Sequence, residues 1–264
     1  MSTIKEHFGL GTPGVLARFD GNRQFISGIE YEIEAIKSLG SLPSDGRLEL
    51  VDDHSLRNNG KEIRTIPLTF DEQLETFKFI HSQLKLGKDP FSERTSIHVH
   101  VNVRELELSS VRQLILTYAL LEPLFFEYVG DVRKSSIFCV PLNYTHLPSI
   151  YKLPIQKLVE MWHKYTAFNI LPMATFGTVE FRHMYGTADL EMFVRWLTAL
   201  KELYTFIERQ PTFDLIAELE KGLSTADLAK AVIPSLVPTW STAKIKEVLE
   251  DSLLDVKLSV GGLK

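Results

Sequence analysis

Hydrophobic and polar residues alternate strictly in three short stretches far apart in the chain. They are Gly28-Ile29-Glu30-Tyr31-Glu32-Ile33-Glu34, Ser96-Ile97-His98-Val99-His100-Val101-Asn102 and Gly177-Thr178-Val179-Glu180-Phe181-Arg182-His183, with a shorter fourth at Gly60-Lys61-Glu62-Ile63-Arg64. Residues two apart in a strand point to the same side. Ile29, Tyr31 and Ile33 therefore face a core while Glu30, Glu32 and Glu34 share the other face. In the same way His98, His100 and Asn102 oppose Ile97, Val99 and Val101, and Glu180 stands beside Arg182. Strands are expected at about 24–36, 47–52, 61–66, 95–104 and around Glu180, with one more at 137–145.

Between them the period changes to that of a helix. Thr69 with Glu72 forms a capping box that opens a helix at about 70–86, with Leu74, Phe77, Ile80 and Leu84 on one face. Ser109 is the expected cap of a second helix at about 110–129, which Pro123 should kink or break. Pro154 suits the first turn of a helix running to about 166. A long helix at about 189–209 turns Phe193, Trp196, Leu197, Leu200, Tyr204 and Ile207 inward. Residues 1–23, rich in glycine, read as an irregular lead-in. Beyond Pro211 come short helices, one capped by Ser224 with Asp227 and one following Ser241.

Strands that are polar on one face are not the doubly buried strands of a parallel sheet. The fold class expected is α+β: a curved, largely antiparallel sheet with helices packed on one face and an open polar face in front. The expected organisation is one domain over 1–210 and a small helical appendage over 211–264.

Same-face neighbours along a strand lie about 6.7 Å apart. Two glutamates at that spacing repel by roughly 2.5 kcal/mol at an effective dielectric near 20, and by about 0.6 kcal/mol in open water. Two such pairs in a partly buried cleft would cost about 5 kcal/mol, a large share of a domain's stability of about 5–15 kcal/mol. The glutamate face is thus either fully exposed or supplied with cations.

Composition narrows the classes. With 264 residues, 44% hydrophobic and 24% charged, the chain reads as an ordinary globular protein with a substantial core. Lysine and arginine number 29 against 34 acidic residues, a net charge of −5, with a pI near 5.9. That is no footprint for nucleic acid. The apolar stretches are broken by charges, so no membrane span is expected. Cys139 is the single cysteine, and a cytoplasmic location is expected. Cys139 itself, between Phe138 and Val140, reads as a buried thiol. His54, His81, His146 and His163 read as structural or surface histidines, and the three tryptophans as packing residues.

Carboxylate clusters suit Mg²⁺ or Mn²⁺, and imidazoles add transition-metal affinity or donate to phosphate. Arginine forks bind phosphate or carboxylate. Neither a Walker-type nor a Rossmann glycine motif is present, so a nucleotide would be held by the sheet face through metals.

Gly28-x-Glu30-x-Glu32, Asp53-x-Ser55 leading to Gly60-Lys61-Glu62-Ile63-Arg64-Thr65, His98-x-His100, Tyr165-x-x-Phe168-Asn169 and Thr178-Val179-Glu180-Phe181-Arg182-His183 follow in that order. This ordered set, within residues 24–205, resembles the amidoligase family. Its members are carboxylate–amine ligases related in fold to glutamine synthetase and glutamate–cysteine ligase. The resemblance implies that Glu30, Glu32, Glu62 and Glu180 hold two or three Mg²⁺ ions (or Mn²⁺), and that His98 or His100 contacts metal or the phosphates of ATP. It implies that Arg182, with Arg64, clamps the transferring phosphate or the substrate carboxylate, and that Asn169 helps bind substrate. ATP would phosphorylate a carboxylate and an amine would attack the acyl phosphate. The substrates would be a small-molecule or peptide acid and amine.

Two rival readings remain open. His98-Val99-His100, followed after four residues by Glu105, resembles half of a cupin signature, as in a transition-metal hydrolase or oxygenase, though Ser92 and Arg112 stand where glycines would flank it. An acidic sheet face could also belong to a structural or binding protein without catalysis.

Overall fold

The computed structural model describes residues 2–40, 46–142 and 147–260. The lead-in begins with a short helix, α1 (Ile4–His7), opened by a capping box between Thr3 and Glu6, and continues through a 3-10 turn at Gly14–Phe19. Then follow β1 (Ile26–Ile33), β2 (Ile36–Leu39), β3 (Leu48–Asp52), β4 (Lys61–Thr65), β5 (Leu68–Thr69), α2 (Phe70–Gln83), β6 (Leu84–Leu86) and β7 (Ser96–Asn102). After β7 come α3 (Leu108–Val129), α4 (Asp131–Lys134), α5 (Leu147–Lys152), α6 (Ile155–Met161), β8 (Phe168–Asn169), β9 (Thr178–Tyr185) and α7 (Leu190–Arg209). Four short helices end the chain: α8 (Leu215–Glu220), α9 (Thr225–Val232), α10 (Thr242–Val248) and α11 (Glu250–Val260).

Among the described residues seven strands form one sheet in the order β3-β4-β1-β7-β9-β8, with β5 pairing β1 alongside β4. Every strand pair in it is antiparallel. This is the mixed fold with an open antiparallel sheet that the one-sided patterning implies. Register is fixed by burial, because a slip of one residue would exchange the two faces. Ile29, Tyr31, Ile33, Ile63, Ile97, Val99, Val101, Val179 and Phe181 are all buried in the core. Phe77 of α2 stacks on Phe193 of α7 with ring centroids 3.9 Å apart, and Phe125 of α3 meets Trp196 of α7 edge to face. The C-terminal helices join the same core through Leu215, Leu228, Ile245 and Val256.

Several expected boundaries shift. The strand expected at 24–36 ends at Ile33, because Ala35 takes a positive φ of 52° and the chain turns into β2, which pairs with β6. The first long helix ends at Gln83 rather than 86 for the same reason, since its last residues enter β6. Pro123 does not break α3, which runs unbroken to Val129. The cap of α3 is Glu107, without a side-chain bond, and Ser109 lies inside the helix. Pro154 is the cap of α6 rather than a residue of its first turn, and α6 stops at Met161. No strand forms over 137–142, where Val140 makes only a single parallel bridge to Thr166; Asn143–His146 lie outside the described residues. Ser224 caps α9 without a side-chain bond, whereas Ser241, which precedes α10, accepts from Lys244 N–H.

One irregularity organises the site edge of the sheet. Ile97 pairs with Met184 but Val99 pairs with Phe181, so His98 alone faces two residues, Arg182 and His183. Such a bulge re-aims a side chain. Arg182 stays on the polar face, while His183 turns into the core against Phe126 and Trp196. Buried Arg133 donates to the carbonyls of both bulge residues, at 2.8 Å for His183 and 2.6 Å for Arg182. Burial first, and then the Arg133 charge, push His183 down to about 3.

His183 Nε2 lies 2.8 Å from the hydroxyl of Tyr118, which donates to Glu122 Oε1 at 2.5 Å. Glu122 also accepts from Leu142 N–H at 2.8 Å and 2.9 Å. Burial pushes Glu122 up to about 7 from an ordinary value of 4.5, against the Tyr118 and Leu142 hydrogen bonds. Across that interval the folded state holds a proton the unfolded chain has released, so this group's contribution falls as pH rises from about 4.5 to 7. The change is on the order of 3 kcal/mol. His183 acts oppositely, its contribution being complete above 6.5 and lost as pH falls toward 3. Comparing Glu122→Gln with the parent isolates the first effect. Urea unfolding from pH 4.5 to 8 should show the variant gaining on the parent as pH rises; parallel curves would overturn this assignment.

Candidate active site

The polar face is built by register. Glu30 of β1 stands directly across from Arg64 on β4 and His98 on β7, and Glu32 directly across from Glu62. His100 is opposite Glu180 of β9. Directly opposed side chains have Cβ atoms about 4.5–5.5 Å apart, so these ionisable residues of β4, β1, β7 and β9 converge.

Two donor clusters result. Glu30, His98 and Glu180 bring one ligand atom each within 4.8 Å of one another, and so do Glu32, Asp53 and Glu62. In the first, His98 Nδ1 lies 3.3 Å from Glu30 Oε2 and 3.3 Å from Glu180 Oε1. Five carboxylates with one imidazole make an oxygen-rich set that fits a hard divalent cation such as Mg²⁺ or Mn²⁺ at each cluster. Asp53, in the loop after β3, is recognisable in the sequence only as part of a motif; its position beside Glu32 and Glu62 depends on how that loop folds back. Ser55 N–H donates to Asp53 Oδ1 at 2.8 Å and holds the turn.

Each carboxylate has a fixed partner. Arg64 donates to Glu62, and Arg182 donates to Glu180 and to the carbonyl of Phe138 at 3.1 Å. Asn169 donates to Glu180 Oε2 at 2.7 Å and accepts from Leu171 N–H, so the residue expected at the substrate orients a carboxylate of the first cluster. Ser96 donates to Glu32 at 2.6 Å. Glu34 is not in either cluster: buried past the end of β1, it accepts from Arg57 N–H at 2.8 Å and secures the loop after β3. Glu105, the third member of the cupin-like spacing, accepts from Gly21 N–H at 3.3 Å and joins neither cluster.

Electrostatics follow from this crowding. Burial alone would raise Glu30, but the two imidazoles beside it, His100 first, outweigh burial and hold the carboxyl well below the usual range. Burial likewise opposes protonation of His100, and Glu30 with Glu180 overcomes it, raising the imidazole. Glu62 goes the other way: burial pushes it up, and the charges of Glu30 and Glu32 add to this against the bond from Arg64.

Beside the clusters, Glu30 and His100 line a groove of about 860 Å³ that runs along the polar face past Gly28. Its floor also carries Asn102, Thr178 and Arg64, and its walls carry Leu16, Val15 and Phe176. Arg104, buried, ties the walls together by donating to the carbonyls of Leu10, Gly11 and Phe176. Gly177 has a φ of +71°, and a Cβ there would lie 2.4 Å from Arg104 Cγ, so glycine is required at this corner. Sequence patterning does not reveal Arg104, since its partners are backbone atoms 72 to 94 residues away. Cys139 is buried, with its thiol pushed up to about 11 by burial, as befits a packing residue.

Because ionised Glu62 is disfavoured in the fold, Glu62→Gln should raise stability at neutral pH in the presence of a chelator. It should also diminish the stabilisation that Mg²⁺ or Mn²⁺ confers on the parent. Thermal unfolding with and without divalent cation checks both effects; a variant less stable without cation, or equally stabilised by it, would contradict the second cluster.

Among curated proteins none matches the chain. A model of the family described as "Putative amidoligase enzyme" matches residues 18–202, more than two thirds of the 264 residues, and that span contains every residue of both clusters. With this match and a polar face assembled from the same motif residues, the chain belongs to the amidoligase family, a family of ligase-type enzymes.

Proposed function

We propose that the protein is an ATP- and Mg²⁺-dependent carboxylate–amine ligase with a glutamine synthetase-like catalytic sheet, working through an acyl phosphate. The observation that carries this reading is the pair of donor clusters side by side on one face, flanked by two arginines and opening onto a groove. Phosphoryl transfer needs little beyond positioning and neutralisation of charge, which is what such a face supplies.

Glu30, His98 and Glu180 would hold one cation and Glu32, Asp53 and Glu62 another. Bound there, the two ions would screen the phosphates and polarise the reacting oxygens. The groove is of a size usual for small ligands. It would take the nucleoside of ATP, with His100 and Arg64 at the phosphate end. Arg182, whose side chain is only 15% exposed, lies on the other side of Glu180, where it would orient the incoming carboxylate.

In the first step a carboxylate oxygen attacks the γ-phosphorus and ADP leaves. In the second an amine attacks the acyl carbon, loses a proton, and inorganic phosphate departs with the electron pair of the broken C–O bond. The products are an amide, ADP and phosphate. Asn169 and Arg182 would keep Glu180 aligned throughout, which explains why a buried carboxylate has two donors.

Calorimetry with Mg²⁺ and ATP should detect nucleotide binding that requires the cation, and Glu32→Gln should weaken it strongly. Panels of acid and amine pairs should then give ADP release that needs both partners. Glu180→Gln is expected to lower that turnover by at least about 10³-fold, about 4 kcal/mol of transition-state stabilisation, while its circular dichroism stays that of the parent. Turnover retained in Glu180→Gln, or ATP binding indifferent to Mg²⁺, would refute the ligase reading.

A further inference from the structure

We infer that Ser96 is a positioning residue shared by both clusters, its single hydroxyl fixing the tautomer of His98 and the rotamer of Glu32. The inference rests on the metal-site reading above and deepens it. Sequence patterning gives Ser96 no role beyond a place on the polar face of β7. In the fold its hydroxyl is buried and sits between Glu32 Oε2 at 2.6 Å and His98 Nε2 at 2.7 Å. Glu32 belongs to one cluster and His98 to the other. Among the described residues, Ser96 is the side chain that bonds a member of each.

The direction of the two hydrogen bonds follows from counting protons. A hydroxyl has one hydrogen to donate, and an ionised carboxylate can only accept. Ser96 therefore donates to Glu32, and its oxygen accepts from His98 Nε2–H. With the proton placed on Nε2, the other ring nitrogen is the one that can offer a lone pair. That atom, Nδ1, is the one lying 3.3 Å from both Glu30 Oε2 and Glu180 Oε1. A metal-bound imidazole needs this arrangement: one nitrogen free for the ion and the other anchored by a hydrogen bond that sets ring orientation.

The same hydroxyl holds one oxygen of Glu32 toward β7, leaving the carboxylate fixed where it faces Asp53 and Glu62. One side chain thus prepares an imidazole for the first ion and a carboxylate for the second. Outer partners of metal ligands typically affect affinity by about 10- to 100-fold.

The test uses the full chain and Mn²⁺ as the probe, followed by calorimetry and electron paramagnetic resonance. The series is the parent, Ser96→Ala, Ser96→Thr and Ser96→Cys. Thr keeps the hydroxyl, whereas Cys keeps the bulk but is a weak donor and acceptor. The Ala and Cys variants should each bind Mn²⁺ about 10- to 100-fold more weakly at both clusters. Thr should recover most of the loss, and thermal unfolding with chelator reports whether each variant folds. If Ala does not fold, Cys carries the comparison.

Nitrogen NMR on ¹⁵N-histidine protein, with His98 assigned by its loss in His98→Gln, supplies a readout independent of binding. Metal-free parent should carry a proton on Nε2 of His98, with a hydrogen-bonded shift that Ser96→Ala abolishes. A folded Ala or Cys variant with parental Mn²⁺ affinity at both clusters, or His98 with Nε2 unprotonated, overturns the role of Ser96. Should the parent bind no Mn²⁺ at all, the ligase reading falls, and the NMR signature still decides whether Ser96 fixes the tautomer.

Discussion

The structure depends on packing like charges onto one face of a sheet whose other face is a closed hydrophobic core. Glu32 opposes Glu62 in register, and Glu30 lies one pleat away on the same side. The apolar faces of the same strands fix that register, since moving Ile29, Tyr31 and Ile33 to the solvent side would expose three buried side chains. The core thus forces the carboxylates together, and the carboxylates in turn require positive partners within reach. Arg64, Arg182 and His100 occupy those places, with His98 between Glu30 and Glu180. Where the set is buried, as at Glu180 with Arg182, removing one partner leaves a charge uncompensated; exposed Arg64 can turn to water instead.

The bulge opposite His98 is a second consequence of the same geometry. Strict alternation would send Arg182 to the polar face and His183 to the core, and then return Met184 to the polar face. The extra residue instead lets Met184 stay buried opposite Ile97 while Arg182 still reaches Glu180. The carbonyls of the bulge would be costly without partners in so buried a place, and Arg133 provides them. Through Arg133 the positioning of a site arginine is tied to the interior, and the neutral His183 beside it belongs to that support.

The alternating stretches are legible because a period of two, with glutamate, histidine and arginine all on one side, fits little besides a strand with one chemically active face. That places Glu30, Glu32, Glu62, His98 and Glu180 on polar strand faces; the family resemblance is what singles them out as ligands over Glu34, and these five meet in the fold. The helix capped by Thr69 and Glu72 and the inward face of the long helix are local signals and read equally well. What escapes depends on tertiary placement. Asp53 reaches the second cluster through a loop, and Arg104 serves carbonyls from two distant segments. Asn169 is visible as a motif residue, but its partner, Glu180, is set by the pairing of β8 with β9. Pro123 misleads because a proline in a helix lacks only its own N–H bond and its clash can be absorbed within a well-packed element. Fifteen residues of α3 are buried, and that burial outweighs a local preference.

The two ends of the polar face are built in different ways. The donor clusters stand on strands and their immediate loop, within the residues that match the family. The groove beside them is completed by Leu10, Thr12, Pro13, Val15 and Leu16, all before the first matched residue, in a segment that Arg104 grips through the carbonyls of Leu10 and Gly11. A sheet holds ligand atoms to within fractions of an ångström because each strand that carries them is bonded on both sides; a segment tied at a few points defines shape with less precision. Chemistry that demands close placement of charge therefore lies on the sheet. On the ligase reading proposed above, recognition of the rest of a ligand, which tolerates more adjustment, would fall to the wall that one buried arginine and one glycine corner hold in place.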